Sequence, residues 1–81
     1  MKSFVGSMAA RDTIQMRVLI RNWKTGLYFQ TPDIWSNDRL LATDFEHVTI
    51  ALEETIKQAM TDIEIVLAFP NPKLDVRVKP C

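Results

Sequence analysis

Residues 43–69, TDFEHVTIALEETIKQAMTDIEIVLAF, decide the fold, because within this stretch a helical apolar period gives way to a strand period. Phe45, Val48, Ala51, Leu52, Thr55, Ile56, Ala59 and Met60 recur at three- and four-residue steps and gather into one stripe. Glu46, Glu53, Glu54, Lys57 and Gln58 fall mostly on the other side. Ile63, Ile65, Leu67 and Phe69 then alternate with Glu64, Val66 and Ala68, the pattern of a strand with one face on a core. A helix lying across a sheet follows. Thr43 and Glu46 fit a capping box, which starts the helix at Thr43 and ends it near Met60; His47 as a later cap would leave Asp44 and Phe45 extended.

Upstream, Ile14, Met16, Val18 and Ile20 alternate with Gln15, Arg17, Leu19 and Arg21, which predicts a strand over residues 13–22. Asn22-Trp23-Lys24-Thr25-Gly26 carries hairpin-turn chemistry, with glycine for a left-handed position, and Leu27 to Gln30 forms the returning strand. Thr31-Pro32-Asp33 breaks that strand, since proline donates no ladder hydrogen bond. Ser36 or Asn37 caps a helical turn over residues 38–41 that brings Leu40 and Leu41 to the core, and Trp35 reads as a lid over it. Downstream, Pro70-Asn71-Pro72-Lys73 is a turn, and Leu74, Val76 and Val78 face one way along a last strand that Lys79 and Pro80 mark as a sheet edge. The expected architecture is α+β: two β-hairpins joined through one main helix packed on one face of a mostly antiparallel sheet, in the order β-β-α-β-β.

The chain has 81 residues, which suits one small domain with a modest core. Gly6-Ser7-Met8 reads either as a cloning junction or as a native start at Met8, so residues 1–11 are set apart as a flexible tail and residues 12–81 as the domain. The one cysteine, Cys81, permits no internal disulfide and no cysteine metal cluster, which favours a reducing, cytoplasmic setting. No apolar run is long enough for a membrane span or a secretory signal.

Net charge is zero, but its distribution is uneven. Residues 1–24 carry five bases against Asp12, giving +4; residues 33–64 carry eight acids against two bases, giving −6; residues 65–81 carry three bases against Asp75, giving +2. With Gly6 and Gly26 as the only glycines, no glycine-rich phosphate loop can be built. His47, the single histidine, has one aspartate, Asp44, as its neighbour on the helix, too few ligands for zinc. Ser3, Ser7, Ser36 and Cys81 lack the base and orienting group a nucleophile needs, and Glu53-Glu54, Asp62 and Glu64 read as a solvated surface. No catalytic residue, cofactor or metal site is expected.

The outer sheet face is the candidate surface. Arg17, Arg21 and Arg77 share the parity opposite the core, and Trp23 and Lys24 sit at the hairpin tip. Leu19, Tyr28, Val66 and Ala68 would be left partly exposed by a helix that covers one side. Such a face, or an edge strand of the sheet, suits a non-enzymatic protein-interaction module that meets itself as a homodimer or another protein, with an acidic helix and basic sheet adding complementarity. The alternative is weak binding of single-stranded nucleic acid through Arg17, Arg21, Trp23, Lys24 and Arg77.

Lys24-Thr25-Gly26-Leu27-Tyr28, then Trp35, Asp38, Ala42, Phe45 and Ala51, and then Asp62-Ile63-Glu64-Ile65-Val66, resemble small bacterial α+β proteins of uncharacterised function. The resemblance covers about residues 14–69 and rests on core-like motifs. It implies a hairpin, a tryptophan loop, a helix and a hydrophobic strand, and brings no functional residue with it.

Overall fold

The alternation before Asn22 becomes strand β1, Arg17–Asn22, in the computed structural model, which describes residues 16–80. Of the rest of the expected first strand, Met16 precedes β1 and is exposed, and residues 13–15, with the tail over residues 1–11 and Cys81, lie outside the described residues. Asn22 starts the turn as its side chain allows: its Oδ1 accepts the Lys24 and Thr25 N–H groups, each at 2.9 Å. Gly26 closes the turn at φ +79°, where a Cβ would be strained, and donates to the Asn22 carbonyl at 2.8 Å.

The chain returns as β2, Tyr28–Thr31, and turns again at Pro32-Asp33 into β3, Ile34–Ser36. The pattern of residues predicts a strand that ends at Gln30 and no β3. Pro32 breaks the ladder yet also starts a tight turn, so the chain folds straight back to put Phe29 opposite Trp35. After the helix α1, Val48–Lys57, come β4, Ile63–Ala68, and β5, Val76–Val78. Leu74 lies in a 3-10 turn over Pro72–Leu74 instead of the last strand, because Asn71 caps that turn by accepting from the Lys73 N–H. The five strands form one antiparallel sheet in the order β3-β2-β1-β4-β5, so the α+β arrangement stands with one more strand than expected.

β1 and β4 pair along their full length, from Arg17 opposite Ala68 to Asn22 opposite Ile63. Register therefore puts Val18, Ile20, Ile63, Ile65 and Phe29 on one face, where they pack with Ala51 of α1. Trp35 and Phe45 close this core against Phe29, with ring centroids 5.4 and 5.8 Å away. The opposite face holds Leu19, Tyr28, Val66 and Ala68, and these pack against Ala42. Leu19 and Val66 are 0% exposed, so the central strands are buried on both sides.

How the chain reaches both faces explains two further differences from the sequence reading. β1 and β2 form one register pair, Arg21 with Tyr28, and then splay. Residues 43–45 fill the gap: Thr43 donates its N–H to Phe29 O and its hydroxyl to Gln30 O, while Phe45 N donates to Val18 O and Asp44 Oδ1 accepts the Val18 N–H. These bonds hold residues 43–45 extended, so the capping box at Thr43 does not form. Glu46 turns at φ +70°, His47 takes the cap position at φ −130°, and α1 begins at Val48. Before the gap, residues 38–42 lie over the far face as a turn, with Leu41 N donating to Asp38 O. Ala42 goes inward there, while Leu40 and Leu41 stay exposed, contrary to their expected place in the core. No helix among the described residues is long and apolar enough to cross a membrane.

Candidate interaction surface

The far face carries the residues that the sequence put forward, and the fold engages most of them internally. Arg17 reaches up to the 38–42 segment, giving Nη1–H to Arg39 O at 2.9 Å and Nη2–H to Ala42 O. Arg21 donates from Nη1 to Glu64 Oε2 at 2.6 Å, and its guanidinium lies 5.9 Å from the Tyr28 ring centroid. Glu64, read from sequence as a surface acid, is 4% exposed. A buried carboxylate needs a charged partner, and Arg21 opposite it on β1 supplies one. Arg77 stands exposed on β5 with Nε 3.8 Å from the same oxygen.

Leu19 and Tyr28 are buried, as are Val66 and Ala68, where partial exposure was expected. The physical reason is the 38–42 segment, which the sequence placed as a core-seeking helical turn and the fold uses as the cover of this face. Arg39 fastens the cover at its other end. Its Nε and Nη2 bind both oxygens of Asp75 at 3.0 and 2.7 Å, and Nη2 also donates to Phe69 O at 2.6 Å. The hydrogen bond to Asp75 raises the Arg39 pKa above its ordinary value, so the pair is ionised.

The hairpin tip leads to the other side of the sheet. Trp23 is partly exposed with Lys79 Nζ 4.7 Å from its ring centroid, and Lys24 Nζ lies 3.7 Å from Asp62 Oδ2. Here α1 covers β1 and β4 and leaves β5 beside it uncovered. Val76 and Val78 have the helix-side parity through their pairing with Leu67 and Ile65, yet both are exposed. Ile56 projects from the flank of α1 at 79% exposure. Beside Ile56 runs a mostly apolar groove of about 680 Å³ lined by Trp23, Leu52, Ile56, Met60, Asp62, Lys79 and Pro80.

Of the candidate residues, the fold thus brings Arg17, Leu19, Arg21, Tyr28 and Arg77 to one face, and puts Trp23 at the end of the groove on the other. Sequence reasoning missed Ile56, Val76 and Val78. The available signal was the width of the helical stripe: Ala51 and Thr55 suffice to seat the helix, so Ile56 at its margin has nothing left to cover.

His47 caps α1 with its backbone and makes no side-chain cap bond, and its imidazole is exposed. Among the described residues no three His, Cys, Asp or Glu side chains converge to hold a metal ion. No family model, curated protein or solved structure matches the chain.

Proposed function

We propose that the protein is a small non-enzymatic interaction module that pairs with a second copy of itself, burying the groove and the exposed flank of β5 in each copy. The observation that carries this reading is the set of large apolar side chains left uncovered beside the groove: Ile56 on α1 and Val76 and Val78 on β5. A chain this small gains little from exposing them, and their mutual coverage is favourable at about 25 cal/mol per Å² of apolar surface.

Charge argues for a second copy as the occupant. Residues 46–58 carry Glu46, Glu53 and Glu54 against Lys57, a net −2, and the cation on the groove side of β5 is Lys79, beside Trp23, with Arg77 on the far face and Asp75 bound to Arg39. A two-fold arrangement that sets the helix flank of one copy on β5 of the other brings acid to base twice. Zero net charge removes the long-range repulsion that keeps copies apart. The contact is side chain to side chain, since β5 has three residues and is flanked by Lys79 and Pro80, features that blunt ladder extension.

Against the nucleic-acid alternative stands Arg21, whose guanidinium is held by the buried Glu64 carboxylate and so is withdrawn from the basic set that a phosphate backbone would meet. A reducing, cytoplasmic setting suits a chain whose single cysteine is Cys81.

Light scattering on the Cys81→Ser protein under reducing conditions tests the pairing. A dimer is expected, with Ile56→Glu and Val78→Glu both giving monomers of unchanged circular dichroism. Both sites are solvent-exposed in one chain, so neither change should unfold it. A monomeric parent protein, or a dimer indifferent to both substitutions, overturns the proposal.

A further inference from the structure

Two guanidinium groups line one small cavity on the far face. Arg17 and Arg39 meet there, at about 170 Å³ of space walled by Leu40, Ala68, Phe69 and Pro70. Asp75 neutralises Arg39. Arg17 has no carboxylate in ion-pair contact among the described residues, and its two hydrogen bonds go to the neutral carbonyls of Arg39 and Ala42. The cavity therefore holds two positive charges beside one negative one.

Its donors are also incompletely used. Each guanidinium has five N–H groups. Arg17 commits one from Nη1 and one from Nη2, and Arg39 commits one from Nε and two from Nη2. Five of the ten remain without a protein acceptor among the described residues, on side chains that are only partly in contact with solvent. Partly buried, charged donors favour an acceptor that carries charge, because in reduced dielectric a charge-assisted bond is worth about twice a neutral one.

We propose that this cavity is a binding site for a small organic acid, whose carboxylate lies between Arg17 and Arg39 and whose short apolar tail lies against Leu40, Phe69 and Pro70. A planar carboxylate matches the fork of a guanidinium. The walls match the tail, since beyond the two arginines every lining side chain is apolar. The space is small, about 170 Å³ and partly open to solvent, which suits a short-chain acid. The site is independent of the proposed dimer contact, which lies on the opposite face of the sheet.

Nuclear magnetic resonance titration with sodium butyrate tests this, with sodium chloride at equal ionic strength as the screening control. Saturable shifts are expected at the Arg17 and Arg39 side-chain Nε–H signals and at the Ala68 and Phe69 amides. Acetate should bind more weakly for want of a tail, and inorganic phosphate should bind no better than acetate. Leu40→Glu places a competing carboxylate at the rim, on a side chain 74% exposed and so free to change without unfolding the protein. It should weaken butyrate about tenfold, within the range of a like-charge penalty at close contact. Arg17→Lys should weaken it further by removing the fork. Absence of saturable shifts, phosphate binding tighter than butyrate, or butyrate binding unaffected by Leu40→Glu overturns the proposal.

Discussion

Asp75 joins two segments that are far apart in the chain. Its Oδ1 accepts the Phe69 N–H at 2.9 Å and an Arg39 Nη2–H at 2.7 Å, and Oδ2 accepts from Arg39 Nε at 3.0 Å. Burial alone would push the carboxyl pKa up. The Arg39 hydrogen bond, the Phe69 N–H and the charges of Arg39 and Arg77 outweigh it and hold Asp75 below its ordinary 3.8. A depressed folded-state pKa means that the ion pair contributes fully above the unfolded value and loses its contribution as pH falls through the folded one. Asp75→Asn should thus cost about 3 kcal/mol near neutral pH, typical of breaking a largely buried pair. The gap between wild type and variant should shrink below about pH 4. Urea unfolding on both sides of that pH checks it, and an unchanged gap would assign the loss to packing. Strand parity alone puts Asp75 on the same side as Arg77, two residues on. Its true partner is 36 residues away, and no local pattern connects them.

At the scale of elements, the informative feature is how α1 ends. Gln58 caps it, Ala59 N donates to Ile56 O at 3.1 Å and Met60 N to Thr55 O at 2.9 Å, the paired bonds of a Schellman motif. That motif needs a left-handed residue after the cap, and Ala59 occupies it at φ +51°. Alanine there is strained by about 1 kcal/mol relative to glycine. Ala59→Gly should accordingly raise the melting temperature by about 4–8 °C, the usual response of a domain this size to 1 kcal/mol. A fall on calorimetry would show that backbone entropy dominates at this position. The helix ends at Lys57, three residues before the end near Met60 that the apolar period predicts, because the left-handed Ala59 stops it while Met60 still packs against the core. Of the two starts the sequence offers, the fold takes His47 and leaves Asp44 and Phe45 extended, because residues 43–45 bond to β1 and β2 instead of to a helix.

For the whole molecule, stability should be graded across the sheet. β1 and β4 are central, paired over six residues and buried on both faces, whereas β3 and β5 are three-residue edges. Amide exchange should therefore be slowest at Leu19, Ile20, Ile65 and Val66 and fastest among β-strand amides in β3 and β5. Protection in β5 equal to that in β4 would mean that the proposed pairing already covers that edge. Repeating the measurement on Ile56→Glu separates the two cases, since the monomer should lose any such protection.

Sequence alone determined the class of this fold. The change from a helical to a strand period at Thr61-Asp62, the Asn22 to Gly26 turn and the alternation in β1 and β4 are local properties of the chain, set by backbone geometry and side-chain polarity. Tertiary structure alone decided which surfaces are free. Alternation marks two faces of a strand without saying what lies on either, and here residues 38–42, just before the segment threaded between β1 and β2, cover the face that a single helix would have left open. Arg17 and Arg21 were correctly placed on that face, but as partners of Arg39, Ala42 and Glu64. The exposed apolar surface moved to Ile56, Val76 and Val78, since one ten-residue helix is too narrow to cover the sheet out to β5.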